Sequence, residues 1–270
     1  MNSLSILSYN IWFDNEMVTE RTLALISLIN SKNPDVMCFQ EVRPEIYNIL
    51  IKYLPEYKFH FPKKINSNYS CVIFSRFRIT KCMNHDFKNS IMGRSLLVTK
   101  IDYPYNFNFN FKQEDDIFVE KLDVVVANTH FESLFKKQCI NEKKIEQYKI
   151  TRALLDELYN KYKNVIFCSD SNVLSHEEGN FNDIFDKNMW TDIWKVKGDE
   201  NNKFTYDNFT NSHLIKRFGK SQKYQSRIDR ILIKSDNCDT SNYEVIKSVN
   251  LIEPSDHYGV LGRFEVRYEV

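Results

Sequence analysis

Residues 165–173, VIFCSDSNV, run from a short apolar stretch directly into an acid and an amide. The apolar part, 165–167, is too short for a helix and predicts a buried β-strand. Asp170 and Asn172 follow at its carboxyl end, which is where the strands of open α/β sheets present residues to a ligand. Asp and Asn are also common turn residues after a strand. This stretch therefore leaves both interpretations open, and the rest of the chain decides between them.

Other apolar runs repeat this arrangement and predict an α/β architecture. Strands are expected at Leu4–Tyr9 and Val36–Phe39, and each is followed by a helical pattern, the first at 19–30 and the second after Pro44. This alternating order favours an α/β fold over an all-β fold. The polar-aromatic stretch 103–114 is interpreted as a loop or a hairpin tip. The other predicted elements are a helix at Glu142–Tyr162 and strands at Tyr57–Phe61, Ser70–Phe74, Ser95–Ile101, Asp123–Thr129, Ile228–Lys234, Tyr243–Leu251 and Val260–Val270.

Length and composition bound the class of protein. The 270 residues, 42% of them hydrophobic, carry no internal repeat or linker and predict a single domain over residues 1–270. The formal net charge of +1 is low for a protein that merely coats nucleic acid. No signal peptide, membrane span or paired cysteine spacing is evident. We expect a monomeric intracellular protein, nuclear or cytoplasmic, that is neither secreted nor bound to a membrane.

Polar residues stand at the ends of five predicted strands and just inside the start of a sixth. Each has a bland explanation, since a lone glutamate there is usually a solvated turn residue and a lone histidine usually a satisfied core residue. Several such residues at the same kind of position favour one shared site. They are Asn10, Glu41, His130 with Glu132 and Ser133, Asp170 with Asn172, Asp256 with His257, and Asp229 inside its strand.

The acids and amides of this set suit the hydrolysis of a phosphate ester. A hard cation such as Mg²⁺ takes only one or two protein carboxylates and keeps most of its waters. Glu41 suits that role, with Asn10 as an orienting neighbour. Asp170 can position and deprotonate an attacking water, while Asn172 can hold a non-bridging oxygen.

The histidines suit the charge that develops in the same reaction. His130 and His257 can donate hydrogen bonds to oxygens on phosphorus as negative charge builds on them. A carboxylate, Asp229, can fix the tautomer and protonation of one histidine.

The motifs that contain these residues resemble, in order and spacing, those of the endonuclease/exonuclease/phosphatase superfamily, over nearly the whole chain. The resemblance implies a four-layer α/β/β/α sandwich of two stacked mixed sheets flanked by helices, with the site at one end of the sheets. The matching motifs are Ser8–Asn10 (SYN), Gln40–Val42 (QEV), Thr129–His130 (TH), Ser169–Asn172 (SDSN), Asp229–Ile231 (DRI) and Ser255–His257 (SDH).

Within the superfamily, the chain most resembles enzymes that cleave 5′-tyrosyl nucleic acid. The similarity is carried by Thr129–Ser133 (THFES), Phe204–Asp207 (FTYD), Arg227–Arg230 (RIDR) and Ser255–Gly259 (SDHYG). It implies hydrolysis, with Mg²⁺ or Mn²⁺, of the phosphodiester between a protein tyrosine and a nucleic-acid 5′ end. A 5′ phosphate is released, and DNA is favoured over RNA as the substrate.

The resemblance also implies a role for each matched residue. Glu41 binds the metal, with Asn10 and Asp256 in its shell, and Asp229 holds His257. The implied catalytic residues are Asn10, Glu41, Asp170, Asn172, Asp229 and His257, and the implied phosphate- or substrate-binding residues are His130, Ser133, Tyr69, Arg94 and Tyr206.

Some motif positions depart from the superfamily pattern. Ser169 stands where a glycine usually precedes the central aspartate, and residues 173–175 lack the usual basic residue. The arginine expected after the THFES motif is also absent, so the contacts with a nucleic-acid strand are expected to differ. An abasic-site endonuclease, a general nuclease and a small phosphoesterase remain alternatives, because they share the catalytic core. A non-catalytic binding domain is disfavoured, because every catalytic position carries the needed residue type.

Overall fold

Two six-stranded mixed sheets stack face to face, and helices cover their outer surfaces. The structure, a computed structural model, describes residues 3–106, 119–133, 138–248 and 252–267. The order of layers is helix, sheet, sheet, helix, which confirms the predicted α/β/β/α sandwich.

The first sheet has a parallel pair of strands at its centre. β1 (Ser3–Asn10) and β2 (Val36–Val42) run parallel and are joined by α1 (Val18–Lys32), since parallel neighbours need a crossover connection. α2 (Pro44–Tyr53) follows β2 and begins with a proline, which suits the first turn of a helix. In spatial order the sheet contains β13 (Cys238–Ile246), β14 (Gly259–Val266), β1, β2, β4 (Ser70–Ser75) and β3 (Phe59–Phe61).

The second sheet repeats this plan. β7 (Val119–His130) and β8 (Asn164–Asp170) form its parallel pair and are joined by α3 (Gln138–Tyr162). In spatial order the sheet contains β5 (Ile79–Asp86), β6 (Ser95–Asn106), β7, β8, β12 (Asp229–Ser235) and β9 (Thr191–Asp192). The remaining elements are α4 (Glu178–Phe185), α5 (Ile193–Lys197), α6 (Ser212–Phe218) and a small two-stranded sheet of β10 (Tyr206–Asp207) and β11 (Gln225–Ser226).

Alternating side chains of the strands build the core between the sheets and the cores beneath the helices. On β1, Ile6 faces the second sheet and Leu7 faces the helices, as the two-residue period of a strand requires. Cys38 and Cys168 meet Ile6 in the layer between the sheets, as expected of small core residues. Five cysteines are free thiols: Cys38, Cys71, Cys82, Cys168 and Cys238.

The helices bury apolar stripes on the outer sheet faces. α1 and α2 cover the first sheet, and α3 and α4 cover the second, where Tyr148 and Phe181 pack edge to face with ring centroids 5.2 Å apart. No helix in the described ranges is long and apolar enough to cross a membrane.

Several predicted boundaries differ from the structure. β5 was not predicted, because it is an edge strand whose side chains are mostly exposed and do not alternate in polarity. β6 continues into the stretch expected to be a loop and ends at Asn106, and residues 107–114 lie outside the described ranges. β13 begins at Cys238, earlier than the predicted strand, and ends at Ile246.

Strand register brings the predicted site residues to one edge of the molecule. Asn10 pairs with Gln40 across the first parallel pair, and His130 pairs with Asp170 across the second. Asp229 on β12 pairs with the same Asp170 from its other side. The carboxyl ends of both parallel pairs therefore deliver their polar residues to a common place.

Candidate active site

A cavity of about 720 Å³ opens where the two parallel pairs end. The site residues predicted from the sequence line it except Asp229, which lies behind His257 and bonds to it, and Glu132. Glu132 is buried, and its carboxylate accepts hydrogen bonds from Ser90 Oγ at 2.7 Å and Ile91 N at 2.9 Å. The predicted residues in the lining are Asn10, Glu41, Tyr69, Arg94, His130, Ser133, Asp170, Asn172, Tyr206, Asp256 and His257.

The carboxylate of Asp170 is the centre of the site. Its Oδ2 accepts a hydrogen bond from Asn10 Nδ2 at 2.9 Å and lies 3.2 Å from His130 Nε2 and 3.9 Å from His257 Nε2. Its Oδ1 accepts from the backbone N–H of Asn172 at 3.1 Å. One carboxylate thus faces groups from both sheets.

Asp170 stays ionised in spite of its burial. Removal from water raises the pKa of a carboxyl, and this is the largest single influence on Asp170. His130, His257, the amide of Asn10 and the backbone N–H of Asn172 together outweigh it, so the pKa lies below its ordinary value. A negative charge is therefore held at the floor of the cavity at neutral pH.

His257 and Asp229 form a buried imidazole–carboxylate pair. His257 Nδ1 lies 2.9 Å from Asp229 Oδ2. Burial alone lowers the pKa of a histidine, but the charge and hydrogen bond of Asp229, with Asp256 and Asp170 nearby, raise the pKa of His257 well above its usual value. His257 is therefore a cation, and its Nε2–H points into the cavity.

The same burial also shifts the pKa of Asp229. Burial raises the pKa of Asp229 to about 6, against the lowering influence of His257. Neutralising His257 would leave a buried carboxylate without its partner, so the pair is held together as imidazolium and carboxylate.

His130 is held in the opposite protonation state. Arg94 Nη1 lies 2.9 Å from His130 Nδ1, and because a guanidinium has only donors, Nδ1 must be the acceptor. Burial and the charge of Arg94 lower the pKa of His130 to about 3. The neutral ring therefore carries its proton on Nε2, which faces Asp170. This contact fixes a tautomer that the sequence alone left open.

Glu41 and Asp256 form an acidic corner that suits a cation. Burial and the neighbouring charge of Asp256 raise the pKa of Glu41 to about 7, and burial raises the pKa of Asp256 as well. Glu41 Oε2 accepts only the backbone N–H of Phe13, at 3.0 Å. Glu41 also adopts a left-handed backbone conformation, with φ 59°, which is uncommon for this residue type and is a form of strain found at functional sites. Carboxylate oxygens are the donor set of a hard divalent ion.

A second group of possible ligand atoms lies deeper in the site. Oxygens and nitrogens of Asp170, Asp229 and His257 lie within 4.8 Å of one another. We assign a proton, not a metal, to this group, because Asp229 and His257 already bond at 2.9 Å and the pKa of His257 is raised. Glu41 and Asp256, whose carboxyl groups line the cavity, are the residues that could hold a cation.

The two asparagines serve Asp170 and the turns around it. Asn10 donates to Asp170 and accepts from Trp12 N at 3.0 Å, so its contacts orient Asp170, and none reaches Glu41. Asn172 has a left-handed backbone, with φ 49°, and its Nδ2 donates to Phe131 O at 2.9 Å. The strand-end amides are thus held in place by backbone groups.

The remaining predicted residues stand on the cavity walls. Ser133 Oγ lies 3.6 Å from the sulfur of Met92, and the ring of Tyr206 packs edge-on against His257 with centroids 5.1 Å apart. The guanidinium of Arg94 lies 5.7 Å from the ring centroid of Tyr69.

One wall of the cavity was not predicted from the sequence. The loop of residues 11–16 places Phe13 against Tyr69, with stacked rings 4.8 Å apart, and Trp12 beside His213. Arg21, buried in α1, donates to the carbonyl oxygens of five residues: Ile11, Trp12, Asp14, Glu16 and Pro254. The three apolar residues directly after Asn10 were the available signal, but the long-range contacts of Arg21 leave no pattern in the sequence.

These features agree with the comparisons with known proteins. A family model described as the endonuclease/exonuclease/phosphatase family matches residues 7–257, and the chain belongs to this family. Metal dependence is typical of it. Tyrosyl-DNA phosphodiesterase 2 of Gallus gallus is 24% identical over 281 residues, covering 98% of this chain and 68% of that protein. The protein of the same name from Bos taurus is 23% identical over 279 residues, covering 97% and 68%.

A solved structure shares the fold over nearly the whole chain. It is the crystal structure of D. rerio TDP2 complexed with a single-strand DNA product, with a TM-score of 0.79 at 22% identity. The match covers 98% of this chain and 100% of that chain. At this identity the likeness establishes the architecture.

Proposed function

We propose that this protein is a metal-dependent phosphodiesterase that cleaves the bond between a protein tyrosine and the 5′ end of nucleic acid. The observation that carries the proposal is an ionised Asp170, contacted by Asn10 and His130 and faced by His257, next to the acidic corner of Glu41. Mg²⁺, with Mn²⁺ as a substitute, is the proposed cation, since all-oxygen sites suit hard divalent ions. The proposed product is a 5′ phosphate.

Asp170 and the donors around it direct the attack. A water that donates a hydrogen bond to Asp170 is aligned with phosphorus, and its proton passes to this carboxylate as the new P–O bond forms. The cationic His257 and the amide of Asn172 donate to the non-bridging oxygens, whose negative charge rises in the transition state. Glu41 and Asp256 would hold a divalent cation, which would supply Lewis-acid stabilisation of the same charge.

The chemistry of the leaving group explains why few protein groups are needed to cleave the bond. As the bond from phosphorus to the tyrosyl oxygen breaks, its electron pair remains on the phenolate. The free pKa of tyrosine, about 10, makes this oxygen a better leaving group than a sugar hydroxyl. No separate general acid is therefore required.

The walls of the cavity support an aromatic leaving group. Phe13, Tyr69 and Arg94 form a stacked and cationic surface beside the phosphate site, where the tyrosyl ring is proposed to lie. His130 and Ser133 are proposed to contact the phosphate, and Tyr206 to line the groove. DNA is proposed over RNA because the relatives named above are tyrosyl-DNA enzymes.

We further propose that the protein acts as a monomer inside the cell. The support for the intracellular location is that Cys38, Cys71, Cys82, Cys168 and Cys238 are free thiols, which suits a reducing compartment.

The reaction is tested with 5′-tyrosyl oligonucleotides, single-stranded DNA and RNA in parallel, first with Mg²⁺ and then with EDTA. A metal-dependent shift to the 5′-phosphate product is expected, with DNA preferred. Nicking of an abasic or intact duplex without tyrosine release would support the nuclease alternatives. Hydrolysis of small phosphate esters alone would support a small phosphoesterase.

The site assignment is tested by removing single charges. Glu41→Gln and Asp170→Asn are each expected to lower kcat by at least about a hundredfold, because one loses a metal carboxylate and the other the water-orienting base. Asp14→Asn, which changes an acid of the cavity wall that has no assigned role, is the matched control. Normal kcat in folded samples of both site variants would refute the assignment.

A further inference from the structure

A buried lysine of α3 contacts the loop that carries Asp170 and Asn172. Of the lysines whose side chains the structure describes, only Lys144 is fully buried. Its Nζ donates to Asn172 O at 2.8 Å and to Glu177 Oε2 at 2.6 Å. Lysine is almost never fully buried unless it is paired, because removal of an ammonium group from water is costly. A lysine at this position therefore requires an explanation beyond packing.

The residue that Lys144 contacts has an unusual backbone conformation. Asn172 is left-handed, with φ 49°, and such a conformation persists only when the surrounding structure holds it. The backbone N–H of Asn172 donates to Asp170 Oδ1 at 3.1 Å, and its Nδ2 donates to Phe131 O at 2.9 Å. The carbonyl oxygen is the group that Lys144 binds. Lys144 thus completes the set of contacts that fix this residue.

The peptide groups on either side of Asn172 are also held from α3 and from the loop itself. Tyr148 OH, one turn after Lys144, donates to Ser171 O at 2.6 Å, and Glu177 Oε2 accepts from Leu174 N at 3.0 Å. Residues 171–178 (SNVLSHEE) contain no lysine or arginine, so the cation comes from the helix. A charge-assisted hydrogen bond is about twice as strong as a neutral one. The strongest donor in this set is therefore directed at Asn172.

The charge of Lys144 is balanced within the same cluster. Burial lowers the pKa of Lys144 below its usual value, and the carboxylates of Glu177 and Asp170 oppose this effect. Glu177 is itself buried, and it forms the ion pair with Lys144. The pair therefore holds the loop without adding a net charge beside Asp170.

We propose that Lys144 is a positioning residue, which holds Asn172 in the left-handed conformation that directs its side-chain amide toward the scissile phosphate. The inference rests on the proposed function, in which this amide donates to non-bridging oxygens whose charge rises in the transition state. Lys144 is not among the residues that line the cavity, so it acts through Asn172 and not on the substrate. Its loss is therefore expected to change kcat and to leave KM unchanged.

The test begins with Lys144→Met, an apolar side chain of similar length. Because this change leaves the carboxylate of Glu177 buried without its partner, Lys144→Met/Glu177→Met, which removes both buried charges, is measured in parallel. With a 5′-tyrosyl single-stranded oligonucleotide, kcat of both variants is expected to fall about tenfold at unchanged KM, since small displacements of groups that contact the transition state are costly. Leu155→Ala, a core substitution about three turns further along α3, is the control; it should lower stability and keep the kcat of the parent.

The Asn172→Gly background distinguishes positioning from a general loss of stability. Glycine adopts the left-handed conformation readily but has no side-chain amide. If Lys144 acts through this amide, Lys144→Met/Glu177→Met should lower the kcat of Asn172→Gly by about twofold or less. An equal fold-loss of kcat in the parent and in this background would overturn the proposal. So would a kcat as high as that of Leu155→Ala, or a rise in KM in place of the fall in kcat.

A conformational measurement separates this inference from the proposed function. The ¹³Cα and ¹³Cβ chemical shifts of Asn172, which report its backbone conformation, are recorded for the unmodified protein, the two Lys144 variants and Leu155→Ala. They are expected to leave the left-handed range only in the Lys144 variants. If they do so while the unmodified protein releases no tyrosine, the positioning role stands and the reaction was assigned wrongly. If the shifts of Asn172 are the same in all these proteins, the role of Lys144 is refuted whatever the reaction.

Discussion

The pKa values of two carboxyl groups in one cavity are shifted in opposite directions by their neighbours. Asp170 sits among donors that hold its pKa below the ordinary value, so it is charged before any cation arrives. At Glu41, burial and the charge of Asp256 outweigh the lowering influences of the Phe13 N–H, His257 and Arg94, so its pKa rises to about 7. The first is therefore suited to hold a water and the second to receive a metal, a division of roles set by environment and not by residue type.

The burial of Glu41 predicts a catalytically dead variant that is more stable than the parent. The pKa is 4.5 in the unfolded chain and about 7 in the folded, metal-free protein, so the unfolded state loses its proton first as pH rises. Stability is therefore full below pH 4.5 and falls until pH passes 7, by about 3 kcal/mol. Glu41→Gln cannot ionise and is expected to show a Tm several degrees above the parent at pH 8 in EDTA, and a similar Tm at pH 5. Thermal scans of both proteins and of the surface control Glu20→Gln check this; equal Tm values at pH 8 would contradict it.

The pair of His257 and Asp229 predicts a pH dependence. Asp229 is the strongest influence that raises the pKa of His257, and burial opposes it, so Asp229→Asn leaves the lowering effect of burial against only the smaller raising effects of Asp256 and Asp170. A histidine cation is present below its pKa, so the variant loses the active form as pH rises. With saturating Mg²⁺, kcat of Asp229→Asn is expected to fall at least tenfold from pH 6 to pH 8, while the parent changes little. Profiles of the same shape would show that Asp229 does not set this protonation.

One helix holds a cavity wall in place through a single side chain. Arg21 of α1 is 3% exposed and satisfies five carbonyl groups, four of them in the loop of residues 11–16. The same loop gives Glu41 its hydrogen bond from Phe13 N. Arg21 on α1 therefore positions the loop of residues 11–16, and this loop in turn positions Glu41, the proposed metal ligand.

Arg21→Lys is expected to loosen this wall, because an ammonium group has three donors and no planar fork. The free energy of unfolding should fall by about 2–4 kcal/mol, since buried carbonyl groups lose their partners. The Mg²⁺ concentration for half-maximal rate should rise about tenfold, with faster amide exchange in residues 11–16. Arg43→Lys, which changes a more exposed arginine that precedes α2 and donates to Phe13 O of the same loop, is the control; equal effects of both variants would refute the special position of Arg21.

Local sequence patterns were sufficient to predict buried strands with polar ends. They were not sufficient for features that depend on residues distant in the sequence. The apolar run before Asp170 and the strand before Glu41 were recognisable because both are buried and end in polar residues. β5 was missed because its exposed residues carry no alternation. The tautomer of His130 depends on its contact with Arg94. The pairing of β6 with β7 brings Arg94 near His130, and the register of this pairing cannot be predicted from the sequence of either strand alone. The site residues could therefore be predicted from the sequence, whereas the cavity wall of residues 11–16 could be recognised only in the folded structure.

Across the whole molecule, a polar contact links the two sheets beneath the site. Gln40 Nε2 donates to Asn128 Oδ1 at 2.8 Å, and Asn128 Nδ2 donates to Phe39 O at 2.9 Å and Val72 O at 3.1 Å. Both side chains are fully buried between the sheets. Glu41 follows Gln40 on one sheet and His130 lies two residues after Asn128 on the other, so this contact sets their relative position.

Asn128→Leu is therefore expected to reduce activity beyond its effect on folding. Loss of three buried hydrogen bonds should lower the free energy of unfolding by about 3 kcal/mol. In samples that circular dichroism shows to be folded, kcat is expected to fall at least tenfold, because small displacements between reacting groups are costly. Thr99→Val, which removes a buried hydrogen bond within one sheet, should affect stability but leave kcat near the parent value. Equal kcat values in the two variants would refute the alignment role.

Because β14 lies between β13 and β1, the first sheet and the site can form only after β14 has been synthesised. β1 is made early, yet its outer edge waits for a strand that begins at Gly259, and His257 arrives just before that strand. A growing chain on the ribosome therefore has an open sheet edge and half a catalytic centre until these residues emerge. The site therefore cannot act on nucleic acid near the ribosome before His257 and β14 have been synthesised.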